Sequence, residues 1–192
     1  MTTRASIQGF ARACLTVGLA LAASLFAASA SAESPVRSID VTFDGDTYIA
    51  NTRMYAPVPP ALAWEVLTDF THMSSFVPNV IESHILTPGD KKFTIEQKGN
   101  AKFGGLSIPY TSQREIVVNP QATILSTQVK GSMKRQQSLM TVVAEGDGTR
   151  LQYHLEIVPS FIASKAMSPE FLKHEIDEQF TAIVGEMIKR KK

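Results

Sequence analysis

Tyr55-Ala-Pro-Val-Pro-Pro60-Ala-Leu-Ala-Trp64-Glu-Val-Leu-Thr-Asp69-Phe-Thr-His-Met-Ser-Ser-Phe76-Val-Pro78-Asn-Val80 is the stretch on which the reading of the fold turns. Before it, Tyr48, Ala50, Thr52 and Met54 recur at period two and predict a strand over residues 47–56. The prolines at 57, 59 and 60 stop that strand. A proline in the first turn of a helix loses no hydrogen bond, so Pro60 opens a helix over residues 61–70. Its apolar residues Ala63, Trp64, Val66, Leu67 and Phe70 fall at spacings of three and four. Asp69 breaks it and is expected to cap a second short helix over residues 71–77, which Pro78 ends.

Downstream of Pro78 the period changes to two. Val80, Glu82 and His84 alternate with Ile81, Ser83 and Ile85, and Pro88-Gly89-Asp90 marks a turn. Phe93, Ile95 and Gln97 alternate with Thr94, Glu96 and Lys98, followed by the turn or bulge signal Gly104-Gly105. Residues 107–118, 124–129, 136–144 and 151–157 read as further strands, separated by Asn119-Pro120, Gly131 and Gly146-Asp147-Gly148. Short turns between consecutive strands imply an antiparallel meander. Ser168-Pro169-Glu170 then starts a helix of about 20 residues, close to 30 Å long. Leu172, Ile176, Phe180, Ile183 and Met187 form its apolar stripe, with Phe171, Val184 and Ile188 beside it. The fold class is α+β: six to seven antiparallel strands, two short helices after the first, and one long C-terminal helix. A further short strand at Val41 and Phe43 is an option, closed by Asp44-Gly45-Asp46.

Outside this domain, residues 1–32 carry Arg4 and Arg12, no acid, and an apolar run over 15–30 that ends in Ala28-Ser29-Ala30-Ser31-Ala32. Basic start, short apolar middle and small residues at the end are the parts of a secretory signal, with cleavage expected after Ala32 and Ala30 as second choice. The run is short for a span that needs roughly 20 residues. The expected address is the periplasm or the exterior of the cell. Residues 33–45 read as an N-terminal leader and residues 46–190 as the domain. Cys14, the one cysteine of the chain, leaves with the signal. Thiolate nucleophiles, Cys-x-x-Cys redox chemistry and cysteine zinc sites are thereby excluded.

Of the 192 residues, 44% are hydrophobic and 19% charged, with a formal net charge of +1, which becomes −1 (17 basic against 18 acidic) once residues 1–32 are removed. That balance gives nucleic acid no electrostatic footprint to hold. No Gly-x-Ser-x-Gly elbow, Walker loop or dinucleotide fingerprint is present, and no cofactor is expected. His174-Glu175 lacks the His-Glu-x-x-His spacing of a zinc site, so no metal is expected and that helix face reads as solvated.

The quoted stretch, with its strand ending in Ala-Pro, its helix running into Leu67-Thr68-Asp69 and its second helix ending in Phe76-Val-Pro78-Asn-Val80, resembles the entry motif of the START-like (SRPBCC, helix-grip) superfamily. Gly148-Thr-Arg-Leu-Gln-Tyr153 and the terminal helix are similar to its last strand and grip helix. The nearest branch by this resemblance is the polyketide cyclase/dehydrase and coenzyme Q-binding (lipid transport) proteins. The resemblance covers about residues 46–190. It implies an apolar small-molecule ligand, lipid or quinone-like, held between a bent sheet and the helix.

The expected lining is Trp64, Phe76, Val77, Phe93, Ile95, Phe103, Tyr110, Tyr153, Leu155, Phe171, Ile176, Phe180, Ile183 and Met187; these residues also suit a filled core, Trp64 above all. Phe76, Val77 and Phe103-Gly104-Gly105 are candidates for the mouth. Three functions follow: a non-enzymatic carrier, a cyclase-type enzyme using Tyr110, Arg114 or Tyr153, and an interaction module with a solid core. A cavity in which Arg114 and a tyrosine converge favours chemistry. Lys134-Arg135 and the basic tail at 189–192 offer a weak, transient contact with anionic membrane.

Overall fold

The computed structural model describes residues 34–103 and 105–192, and residues 1–32, with the signal-type segment, lie outside the described residues. The described chain builds one eight-stranded antiparallel sheet and two α-helices. The strands are β1 (Val36–Asp44), β2 (Thr47–Ala56), β3 (Val80–Thr87), β4 (Lys92–Phe103), β5 (Leu106–Asn119), β6 (Thr123–Gly131), β7 (Met133–Glu145) and β8 (Gly148–Pro159). Their spatial order is β1-β2-β8-β7-β6-β5-β4-β3. The helices are α1 (Pro60–Thr68), followed by a 3-10 turn over Phe70–Ser75, and α2 (Pro169–Arg190). This is the expected α+β helix-grip arrangement.

The sheet curves around one long helix. Helix α2 lies against β1 and β2 near one edge and against β4 near the other. Ser168 caps α2 by accepting the Phe171 N–H at 3.1 Å, and Pro169 occupies N1. Leu172, Ile176, Phe180, Ile183 and Met187 are buried against the sheet, as the stripe requires.

Three expectations need correction. The strand count is eight rather than six to seven, because residues 36–44 of the expected leader form a full edge strand. Its residues pair with β2 from Val36↔Met54 to Asp44↔Thr47, and the Tyr55 N–H donates to Pro35 O at 2.9 Å. An edge strand draws its backbone partners from its neighbour, so it needs little apolar periodicity of its own. Strand β3 does not alternate as expected. Only Val80 and Ser83 are buried, because the register shifts between Val80 and Glu82 and again between Ile85 and Thr87. Asp69 stands at the N-cap position of the 3-10 turn, but its side chain makes no capping hydrogen bond. Its carboxylate accepts from His72 Nδ1 at 2.6 Å and from Arg190 Nη2 at 2.8 Å, which ties the end of α2 to the α1 segment.

Candidate ligand-binding cavity

One end of the interior is solid and the other hollow. At the solid end, Met54, Val58, Val66, Leu151, Val184 and Met187 are almost or wholly inaccessible, and α1 closes on the last turns of α2. Towards the start of α2 the sheet and helix diverge around a cavity of about 220 Å³. Its apolar wall comes from Ile124, Met140, Leu155, Ile157 and the α2 residues Phe171, Ile176, Phe180 and Ile183. Leu67, Phe70 and Met73 close it on the α1 side, and Ala163 and Met167 border it from the β8–α2 connection. Tyr153 and Phe180 meet edge to face with centroids 4.8 Å apart.

Of the fourteen residues named from sequence, Tyr110, Tyr153, Leu155, Phe171, Ile176, Phe180 and Ile183 line this cavity. Trp64, Val77, Ile95 and Met187 belong to or pack against the solid core instead. Phe93 is stacked edge-on against Phe70 at 5.6 Å. Phe76 lies under the Arg190 guanidinium at 5.6 Å, at the C-terminal end of α2, and Val77 is buried, so neither forms a mouth. The Phe103 side chain and Gly104 lie outside the described residues.

The cavity is not uniformly apolar. Inward positions of the middle strands carry Gln97, Ser112, Arg114, Ser126, Gln128 and Ser138. Arg114 Nη2 donates to Gln97 Oε1. Gln97 Nε2 donates in turn to Ser83 Oγ at 3.0 Å, and the Ser83 hydroxyl donates to Phe70 O at 2.5 Å. Every acceptor in this chain is neutral. Among the described residues no carboxylate pairs with Arg114, and its Nε is buried without a hydrogen-bond partner. The hydroxyls of Ser112 and Ser126 are likewise buried and unpartnered.

Burial pushes the Arg114 guanidinium below its ordinary value, opposed by Tyr153 and Tyr110. Burial raises Tyr110 to about 12, helped by Glu175 and opposed by Arg114. The Tyr110 hydroxyl donates to Asn79 O at 3.1 Å, so it is a held donor and a poor base. Tyr153 is also raised by burial, against the pull of Ser138 and Arg114.

Glu175 was expected on a solvated face and is buried. Its two oxygens accept from Asn79 Nδ2 and from the Lys102 N–H, both at 2.9 Å, which pins α2 to the far side of the sheet. Burial raises its carboxyl, partly offset by these two bonds. With His174 and Glu178 it forms a cluster whose ligand-type atoms lie within 4.8 Å of one another, but both Glu175 oxygens are already engaged. Three of the cations considered for membrane contact are engaged in ion pairs. Lys134 pairs with Asp46, Arg135 with Glu156, and Arg190 with Asp69 and Glu186.

The fold and its hollow end define a START-type helix-grip protein. Residues 49–187 match the family described as polyketide cyclase/dehydrase and lipid transport, and the chain belongs to that family. No curated protein matches the chain in sequence. Among solved structures it is similar to the Zhui aromatase/cyclase from Streptomyces sp. R1128, at 15% identity and TM-score 0.65 over 76% of this chain and 96% of that one. It is also similar to a START superfamily protein from Mycobacterium smegmatis, at 13% identity and TM-score 0.62 over 73% and 97%. A STAR-related lipid transfer protein fragment from Xanthomonas axonopodis gives 12% identity and TM-score 0.60 over 78% and 98%. At such identities the likeness establishes the fold.

Proposed function

We propose that this protein binds and carries a small lipid, isoprenoid quinone or related amphipathic molecule in the cavity between sheet and α2, and that it does so in the periplasm. The observation that carries this reading is the cavity itself: about 220 Å³ of space beside α2 in a domain whose other end is packed solid. A filled-core interaction module has no use for it. Removing apolar ligand surface from water is worth about 25 cal/mol per Å², so a wall of Leu, Ile, Met and Phe binds without special polar contacts. The family and its lipid-transfer relatives support the same reading. The signal-type composition of residues 1–32 supports the address. Membrane exchange of cargo has a candidate route at the β8–α2 connection. Phe161 and Ile162 are each 79% exposed there, beside the cavity-lining Ala163.

The convergence of Arg114 with Tyr110 and Tyr153 favours a second reading, a cyclase-type enzyme. Native mass spectrometry of protein purified from the periplasm, followed by extraction of what it holds, tests both. A recovered amphiphile unchanged after incubation supports carriage, and conversion of it supports chemistry. Phe180→Asp places a charge in the apolar wall and should abolish co-purification. A folded variant with unchanged cargo would refute carriage.

A further inference from the structure

A buried arginine in a soluble domain ordinarily faces a carboxylate. Leaving the cation unpaired away from water costs more than one neutral amide returns. Arg114 is partly buried at the cavity wall, has only neutral acceptors around it, and its Nε has no partner; Gln128, its register partner on β6, also has a buried, unpartnered Oε1. It is held in place all the same by the relay through Gln97 and Ser83 to Phe70 O. Two more donors without partners lie close by in the sheet. Ser112 is two residues back on the same strand face, and Ser126 is on β6, paired in register with Ile116. Donors are thus gathered on the polar side of the cavity wall, and among the described residues no anion answers them. The nearest acid on the cavity wall, Glu175, has both oxygens occupied by Asn79 and Lys102.

We propose that the cavity is shaped for an acid: a compact amphiphile whose single carboxylate docks on Arg114 between the Ser112 and Ser126 hydroxyls, with its hydrocarbon body lying toward Met140, Leu155 and Phe180. This rests on the binding reading above and narrows it. One unpaired cation matches one negative charge. The guanidinium fork matches the two oxygens of a carboxylate, and the neighbouring hydroxyls complete the set. A volume of about 220 Å³, below the roughly 300–1,000 Å³ of pockets for drug-sized ligands, suits a compact ligand with one short chain or ring system. The cost of burying Arg114 is then repaid only in the loaded protein.

The test compares octanoate with 1-octanol by titration calorimetry at pH 7.5, using the whole domain and Arg114→Met. Octanoate should bind wild type about 30-fold more tightly than the alcohol, the range of a charged hydrogen-bonded contact. Arg114→Met should lose that preference while its affinity for 1-octanol stays within about threefold. The variant should also melt no lower than wild type in the absence of ligand, because an unpaired buried charge has been removed. Arg114→Gln serves the same comparison if the methionine variant does not fold. Equal binding of acid and alcohol by wild type, or an acid preference that survives in a folded variant, overturns the assignment of Arg114 and leaves the carrier reading standing. Binding of neither ligand overturns both.

Discussion

Leu151 and Leu155 lie on the same strand, four residues apart and on the same face, so they make a matched pair for probing the hollow interior. Leu151 is fully buried between its cross-strand partners Met54 and Val142 at the solid end. Leu155 is 4% exposed and forms part of the cavity wall. Truncation to alanine removes the same atoms and the same transfer free energy at both positions. It opens a new void only at Leu151. Leu→Ala changes in cores span about 2.7–5.0 kcal/mol, rising by about 24 cal/mol per Å³ of cavity created. Leu151→Ala should therefore cost about 4 kcal/mol, and Leu155→Ala, which enlarges a space already there, about 2 kcal/mol. For a domain of this length that difference of about 2 kcal/mol is about 4–8 °C in Tm. Urea unfolding checks it, with midpoints shifting and the m-value unchanged. Equal losses, or a larger loss at Leu155, would mean that the wall beside it is packed and that the cavity is not a feature of the folded protein.

The clamp at the far end of α2 gives a pH dependence. Burial alone raises the Asp69 carboxyl, but the hydrogen bonds from His72 and Arg190 outweigh it and hold it below the ordinary carboxylate range. A depressed carboxyl contributes stability that is fully present above its unfolded value near about 4 and is lost as pH falls through the folded value. Asp69→Asn should flatten the acid limb of a Tm-against-pH curve and leave its slope near neutrality unchanged, whereas an unaltered acid limb would show that the clamp contributes nothing. Arg190→Met should cost about 1–2 kcal/mol by thermal melting, with no effect on cavity binding. Gly99→Ala should destabilise by about 1–3 kcal/mol or more, because a Cβ there meets Asn79 O at 1.9 Å and the Tyr110 hydroxyl at 2.7 Å. A wild-type melting curve would refute that close approach. Ser168→Ala should cost about 1 kcal/mol through loss of the α2 cap, read from chemical unfolding.

The parts of the fold legible in the sequence were those with strong periodicity and hard punctuation. Strand β8, helix α2 and the Pro60 helix start all lie where they were expected. What escaped was decided by neighbours. Strand β1 owes its backbone bonds to β2. The bulges of β3 reset which of its residues face inward. Glu175 is drawn inside by Asn79 and the Lys102 amide, partners 96 and 73 residues away. The candidate site was legible in its aromatic and aliphatic half and in Arg114, Tyr110 and Tyr153, but not in the glutamines and serines around them. Counting by twos from Ile116 reaches Arg114 and Ser112, and from Met140 reaches Ser138. Polar residues thus fall on an inward parity in adjacent strands.

The division of α2 into an end packed solid and an end that borders the cavity separates two kinds of selective pressure. Substitutions near Val184 and Met187 change whether the domain persists at all, whereas those from Phe171 to Ile183 chiefly change what it accommodates. A lineage built on this plan can trade one cargo for another by drift along a few turns of a single helix, with its foundations untouched.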